Sequence, residues 1–113
     1  MEERRKYPRL DVSFPVECNV LTQKIYFYTI SKDLSLGGIK ILSNEFIPKD
    51  HFMKLRINLI DEIVSLKARV AWCNQKRISE RYLIGLEFIE MNERIQRDVF
   101  KFLNKVCMIQ FEI

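Results

Sequence analysis

Residues 55–72 read LRINLIDEIVSLKARVAW, and this stretch decides the fold class. Apolar and polar residues alternate from Leu55 to Leu59 and again from Val64 to Trp72. This alternation is typical of half-buried β-strands, because successive side chains of a strand point to opposite faces. Asp61 and Glu62 supply a polar turn between the two runs. The stretch therefore predicts a β-hairpin.

Further strand signals lie on both sides of this hairpin. Alternation and β-branched or aromatic content predict strands over 12–20, 25–31, 39–42 and 84–88. Pro15 indicates an edge strand or a bulge, because proline cannot donate to a β-ladder. About six short strands would leave exposed edges in an open sheet, so we expect them to close into an antiparallel barrel over residues 12–89.

The hydrophobic period changes near the C-terminus. Apolar residues recur at helical spacing from Ile95 to Val106, and Asn92 precedes them as an N-cap. We therefore predict one amphipathic helix over 92–110, with its apolar stripe packed on the open end or the flank of the sheet.

Length and composition limit the number of domains and the classes of protein to which the chain can belong. A chain of 113 residues with 48% hydrophobic content predicts a single domain over residues 1–113. We find no apolar run long enough for a transmembrane helix or a signal peptide, so we expect a cytoplasmic protein without membrane insertion. Cys18, Cys73 and Cys107 are far apart and form no CxxC pair, and His51 is the single imidazole. We expect reduced cysteines and no metal site.

The usual catalytic motifs are absent from the sequence. There is no Gly-x-Ser-x-Gly elbow, no P-loop and no HExxH motif, and the acidic residues are scattered. We therefore expect a binding module with no catalytic residues and no cofactor.

Two short motifs remain. Residues 4–9 read RRKYPR, which places three guanidinium groups on a segment that Pro8 stiffens. Residues 33–38 read DLSLGG and lie between two predicted strands. Separately, the first is typical of a solvated basic tail and the second of ordinary turn chemistry.

Together, the two motifs resemble the signature of the PilZ domain family. Arg5-x-x-x-Arg9 followed by Asp33-x-Ser35-x-x-Gly38 matches both halves of that signature in order and approximate separation. Residues 68–72 and 82–88 also resemble later strands of the family, so the resemblance covers essentially the whole chain. It implies a six-stranded antiparallel, split-barrel-like β-barrel with a C-terminal helix, which binds the bacterial second messenger cyclic di-GMP.

The resemblance also implies roles for the motif residues. Arg5 and Arg9 would clamp phosphate and guanine, Asp33 and Ser35 would be their partners on the barrel, and Gly38 would make the turn. The chemistry is suitable, because a guanidinium fork can donate paired hydrogen bonds to phosphate or guanine, and a carboxylate can accept from guanine N1 and N2.

Other residues are candidates for further contacts with the ligand. By the resemblance, an arginine at position 4 implies two stacked ligand molecules, so Arg4 joins the ligand-binding set. Further candidates are Gly37, Ser31, Arg69 and Trp72. Simple alternation places Trp72 on the same face as Val70, which favours a position in the core or against the helix.

We expect the signal to pass through the N-terminal arm, defined as residues 1–11. Such an arginine-rich segment should be mobile until cyclic di-GMP orders it, which changes the surface offered to an output protein. That partner is not identified by the sequence, and motility, secretion or polysaccharide machinery are family-level candidates.

Three alternatives stay open at this point. The first is a PilZ-like interaction adaptor without ligand binding. The second is a barrel that binds single-stranded nucleic acid, which the basic end and the aromatic content would suit, although no nucleic acid is expected under the main hypothesis. The third, ranked last, is a barrel enzyme that uses a flavin or another substrate.

Overall fold

A computed structural model describes residues 13–60, 62–76 and 81–111 of the chain, with side chains up to residue 105 at the C-terminal end. The predicted arm, with Arg4, Arg5 and Arg9, lies outside the described residues, as does the Cys107 side chain. The elements are β1 (Pro15–Val20), β2 (Ile25–Leu34), β3 (Gly38–Ser43), β4 (Phe52–Asn58), β5 (Ile63–Gln75), β6 (Tyr82–Ile89) and the helix α1 (Glu93–Phe111).

The six strands close into a barrel in the order β1-β2-β3-β6-β5-β4, and every neighbouring pair is antiparallel. This confirms the predicted barrel with a C-terminal helix. The hairpin quoted at the outset forms β4 and β5, with Leu55 opposite Leu66. Both side chains are buried, as the alternation requires.

Two strands continue well beyond their predicted ends. β2 continues to Leu34, although Asp33 and Leu34 were assigned to the turn. The extra residues are strand because a bulge between Ser31 and Asp33 brings β2 into register with β3. β5 continues to Gln75 for the same kind of reason, with a bulge between Val70 and Trp72.

Pro15 occupies the first position of β1, where it lies opposite Ile30 of β2. The pairing of β1 with β4 begins one residue later, at Val16. The proline is therefore accommodated at the start of an interior strand of a closed barrel, rather than on an edge strand.

The core combines the inward faces of the strands with one side of the helix. Asn92 caps α1, since its Oδ1 accepts a hydrogen bond from the Ile95 N–H at 2.8 Å. Val99 is fully buried, and the Phe102 ring meets the edge of Phe14 with 4.8 Å between centroids. The helix thus packs on the barrel, as predicted. No helix in the described part of the chain is long and apolar enough to cross a membrane.

Cys18 is a buried core residue, whereas Cys73 is only partly buried. Burial, together with the neighbouring Glu17 carboxylate, raises the pKa of the Cys18 thiol to about 12. The native barrel therefore favours the protonated thiol. Cys18 contributes this stability fully below the unfolded-state pKa, and the contribution is lost as the pH rises towards 12.

We predict that Cys18 is inert towards thiol reagents in the native protein. In a Cys73→Ser, Cys107→Ser variant at mildly alkaline pH, labelling should be about a hundredfold slower than in urea, because thiolate is the reactive form and exposure requires opening of the barrel. The measurement is the rate of reaction with a chromogenic disulfide. Equal rates in native and denatured protein would contradict the buried placement.

Candidate ligand-binding face

The turn between β2 and β3 is held by the Ser35 hydroxyl. Its Oγ accepts hydrogen bonds from the N–H groups of Gly37 and Gly38, both at 3.1 Å, and lies 3.3 Å from the Gly38 carbonyl, to which it can donate. The Ser35 N–H also donates to that carbonyl at 3.0 Å. A hydroxyl has one donor and two acceptor sites, so these bonds use its full capacity. Ser35 therefore shapes the turn directly.

Asp33 is the acidic residue of the candidate face, and it is almost fully buried. Its Oδ1 accepts from the backbone N–H of Lys40 at 3.0 Å, and its Oδ2 lies 3.3 Å from the Lys40 ammonium nitrogen. Lys40 is directly opposite Asp33 in the ladder. Lys40 thus holds both carboxylate oxygens of Asp33, one through its backbone N–H and the other through its ammonium group.

A continuous row crosses four strands on the outside of the barrel. Asp33 of β2 pairs with Lys40 of β3, Lys40 pairs with Gly85 of β6, and Gly85 pairs with Trp72 of β5. Three strand spacings separate the ends of this row, which corresponds to about 14 Å. We call these four residues the outer row.

The position of Trp72 differs from the prediction based on simple alternation. The bulge between Val70 and Trp72 inserts one residue, so Trp72 lies opposite Gly85 on the outer face instead of sharing the inward face of Val70. Its indole covers Gly85 so closely that a Cβ at that position would overlap the ring. Trp72 is partly exposed, and it is therefore not a core residue.

Gly38 is required for a reason other than the predicted one. No described glycine has a positive φ, so the backbone does not need glycine to make the turn. Instead, a Cβ at Gly38 would overlap the carbonyl oxygen of Leu86 on β6. The Gly37 carbonyl also accepts from the Phe88 N–H at 2.9 Å. The two glycines thus bring the turn against β6.

Arg69 lies outside the barrel in the next row, opposite Glu87. Its Nη2 donates to Glu87 Oε2 at 3.1 Å. Its Nε is buried, lies 4.0 Å from Asp50 Oδ1, and has no hydrogen-bond partner within the part of the chain that the structure describes. Arg69 is thus on the candidate face but is engaged with a carboxylate.

Ser31 of β2 is fully buried, and it connects this strand to Phe14, which precedes β1. Its Oγ accepts from the Phe14 N–H at 2.9 Å, and its own N–H donates to the Phe14 carbonyl at 2.8 Å. Phe14 is therefore anchored to Ser31, two residues before Asp33 in the sequence. Arg9 is five positions before Phe14, a span of about 17 Å when extended, so the chain is long enough for Arg9 to reach Asp33.

The structure therefore brings Asp33, Ser35 and Gly38 to one end of the outer row and Trp72 to the other. Lys40 was missed by the sequence analysis. Its place opposite Asp33 could have been found from the alternation of 39–42 if β2 had been extended through Leu34. Ser31 and Gly37 serve the turn and the strand junction through the bonds described above.

Comparison with known proteins identifies the family. A family model described as PilZ domain matches residues 3–105. No curated protein matches the chain. The PilZ domain of YcgR from Escherichia coli, solved with c-di-GMP, is 14% identical with a TM-score of 0.71, and the match covers 98% of this chain and 100% of that one.

Two longer proteins share the fold. The Bacillus subtilis inhibitor of motility, MotI/DgrA, is 21% identical with a TM-score of 0.79, and the match covers 95% of this chain and 53% of that one. Escherichia coli YcgR in complex with c-di-GMP is 17% identical with a TM-score of 0.83, with 97% and 49% covered. The chain therefore spans about half the length of these two proteins.

We predict that Gly38→Ala destabilises the barrel. The added Cβ meets the Leu86 backbone, which cannot rotate away as a side chain could, so the free energy of unfolding should fall by about 2 kcal/mol or more. Urea denaturation would measure this loss. Ser65→Ala, at an exposed position of β5, is the matched control and should change the value by less than about 0.5 kcal/mol. A Gly38→Ala protein as stable as this control would contradict the close approach.

Proposed function

The chain belongs to the PilZ domain family, and from this membership we propose that it is a receptor domain for cyclic di-GMP that binds the dinucleotide and catalyses no reaction. One observation carries the proposal: the outer row begins with a buried, oriented carboxylate at Asp33, beside the Phe14–Ser31 junction through which the arginine arm enters the barrel. Acceptor and guanidinium groups can therefore meet around one small molecule.

The ligand chemistry suits the groups on this face. Cyclic di-GMP presents two phosphodiester charges and two guanines, and arginine forks can serve both. In this proposal Arg5 and Arg9 bind phosphate and the guanine O6 and N7 edge, while Asp33 accepts from guanine N1 and N2. Arg4 contributes to the binding of a second, stacked ligand molecule.

Lys40 has two tasks in this proposal. Its backbone N–H and ammonium group hold the Asp33 carboxylate in a fixed orientation. Its partly exposed side chain lies in the outer row between Asp33 and Gly85, where the ammonium can approach a ligand phosphate. Ser35, Gly37, Gly38 and Ser31 act by holding the turn and the arm junction in place.

Trp72 offers a flat apolar surface at the end of the outer row remote from Asp33. We infer that a guanine or an arm arginine stacks on the exposed part of the indole. Arg69 lies beside this surface, and its contact with the ligand would require exchange of the Glu87 carboxylate for a phosphate.

Binding becomes a signal in this proposal when the arm closes over the outer row. The arm carries several positive charges and few apolar anchors, so the two phosphate charges of the ligand stabilise its closed position. The closed arm offers a new surface to an output protein in the cytoplasm. Two proteins of similar structure, the YcgR PilZ domain solved with c-di-GMP and the inhibitor of motility MotI/DgrA, support this type of role.

The described residues support binding rather than catalysis. The Cys18 thiol is buried and its pKa is raised to about 12, which disfavours the thiolate nucleophile. The single histidine, His51, is bound through Nδ1 to the Thr22 hydroxyl at 2.8 Å. This pair joins the β1–β2 turn to the segment before β4.

We predict that Arg9→Ala weakens cyclic di-GMP binding by about 2 kcal/mol or more, close to thirtyfold, which is the scale of a charge-assisted bidentate contact. Titration calorimetry would give the affinity and the number of ligand molecules per chain, and amide exchange over residues 1–11 should slow with ligand in the wild type. Arg56→Ala, on the outer face of β4, is the matched control and should bind like wild type.

Three outcomes of this experiment would count against the proposal. Equal affinities of Arg9→Ala and Arg56→Ala would remove the arm from the site. No binding by the wild type would favour the adaptor alternative. Steeply salt-dependent binding of oligonucleotides without competition by cyclic di-GMP would favour the nucleic-acid alternative.

We also predict that the fluorescence of Trp72, the single tryptophan of the chain, changes on titration with cyclic di-GMP. Stacking brings the base into contact with the indole, so Trp72→Ala should weaken binding about tenfold, within the usual range for one base–aromatic stack. GTP at matched absorbance is the control for the optical effect. An unchanged spectrum at saturating ligand would remove Trp72 from the site.

A further inference from the structure

A second feature lies where β2 and β3 diverge. On its β3 side, β2 is paired only from Ser31 to Leu34, after the bulge. The preceding half, Ile25–Ile30, pairs with β1 alone. The barrel is closed by the later pairs, but this half of β2 has no ladder partner on that side among the described residues.

The direction of the backbone groups follows from the pairing with β1. The Ser31 N–H donates to the Phe14 carbonyl, which places the groups of Ser31 on the β1 side. Because successive residues of a strand alternate, the N–H and C=O groups of Tyr26, Tyr28 and Ile30 point the other way, away from β1. The N–H groups of these three residues and the C=O groups of Tyr26 and Tyr28 thus line one exposed strand edge, while the Ile30 C=O takes part in the pairing of Ser31 with Ile41 of β3.

The side chains beside this edge are unusually apolar for a surface. Tyr26, Tyr28 and Ile30 are 52%, 72% and 56% exposed, and the two tyrosine rings meet edge to face with 5.5 Å between centroids. A long, exposed and hydrophobic edge is a template for pairing with another strand.

A groove runs along the same edge. Its volume is about 590 Å³, and Phe27, Thr29 and Leu42 form part of its lining. The Thr29 hydroxyl donates to the Leu42 carbonyl at 2.7 Å and so joins the two strands across the groove. Lys32 also lines the groove, is exposed, and has no ion pair within the described chain.

We propose that this groove binds an extended segment of a partner protein, which adds as a strand to the Tyr26–Ile30 edge and places an acidic side chain at the end of this edge, near Lys32. Main-chain hydrogen bonds would satisfy these unpaired backbone groups, while apolar side chains of the segment would contact the tyrosines and Ile30. The proposal does not require that the chain bind cyclic di-GMP.

Charge distinguishes this occupant from a second copy of the chain. Antiparallel pairing of two β2 edges centred on Tyr28 would place Lys24 of one copy against Lys32 of the other, and like charges directly opposite each other are destabilising. An acidic partner strand instead neutralises Lys32. The edge therefore fits a heterologous, negatively charged segment.

The test uses the full chain and a short acetylated peptide in which valine and glutamate alternate. At saturating peptide, amide exchange at Tyr26, Tyr28 and Ile30 should slow about tenfold or more, because their N–H groups become hydrogen-bonded. The same peptide with N-methyl groups on its edge-facing amides is the matched control. It should leave the exchange unchanged.

Charge reversal provides the second arm of the test. Lys32→Glu should weaken peptide binding about threefold or more, within the range of an exposed ion pair. Lys54→Glu makes the same change of net charge at an exposed position of β4 and should leave the affinity as in wild type.

Four results would overturn the proposal. Slow exchange at the three residues in the free chain would mean that the edge is already covered. Equal effects of the two peptides would exclude main-chain pairing, and equal affinities of Lys32→Glu and Lys54→Glu would exclude the charge contact. Protection that rises with protein concentration without peptide would identify a second copy as the occupant.

Discussion

Closure of a six-stranded sheet is the constraint on which the other features of this protein depend. Each strand must face the core on one side and also meet two neighbours whose directions diverge around the barrel. Two bulges meet this requirement, one in β2 between Ser31 and Asp33 and one in β5 between Val70 and Trp72. Both occur where a strand turns towards a new neighbour.

These two bulges create the ends of the outer row. The first places Asp33 opposite Lys40, where its carboxylate is buried and held in a fixed orientation. The second turns Trp72 out of the core and over Gly85. The same irregularities that allow the barrel to close therefore expose an aromatic surface and orient an acceptor on one face.

Much of this architecture follows from local patterns. Alternation identified all six strands, and the change of period with Asn92 identified the helix and its cap. The errors lie at the bulges, since the register of a strand against a distant partner is not encoded in its own alternation. Trp72 was placed on the wrong face because a bulge changes the register of β5 before it. Lys40 was overlooked because its place opposite Asp33 depends on the pairing of β2 with β3. The reason for Gly38 was also non-local, since it is the Leu86 carbonyl that excludes a side chain.

The way the barrel is closed has a consequence for how the chain folds. β4 and β5 are joined by a short turn, whereas the pairing of β1 with β4 joins Val16 to Ile57, 41 positions apart (57 − 16), and the pairing of β3 with β6 joins Gly38 to Glu87, 49 positions apart (87 − 38). Bringing distant segments together costs more chain entropy than forming a hairpin. The β4–β5 hairpin should thus be in place early, and formation of the β1–β4 and β3–β6 seams should limit the rate at which the barrel forms.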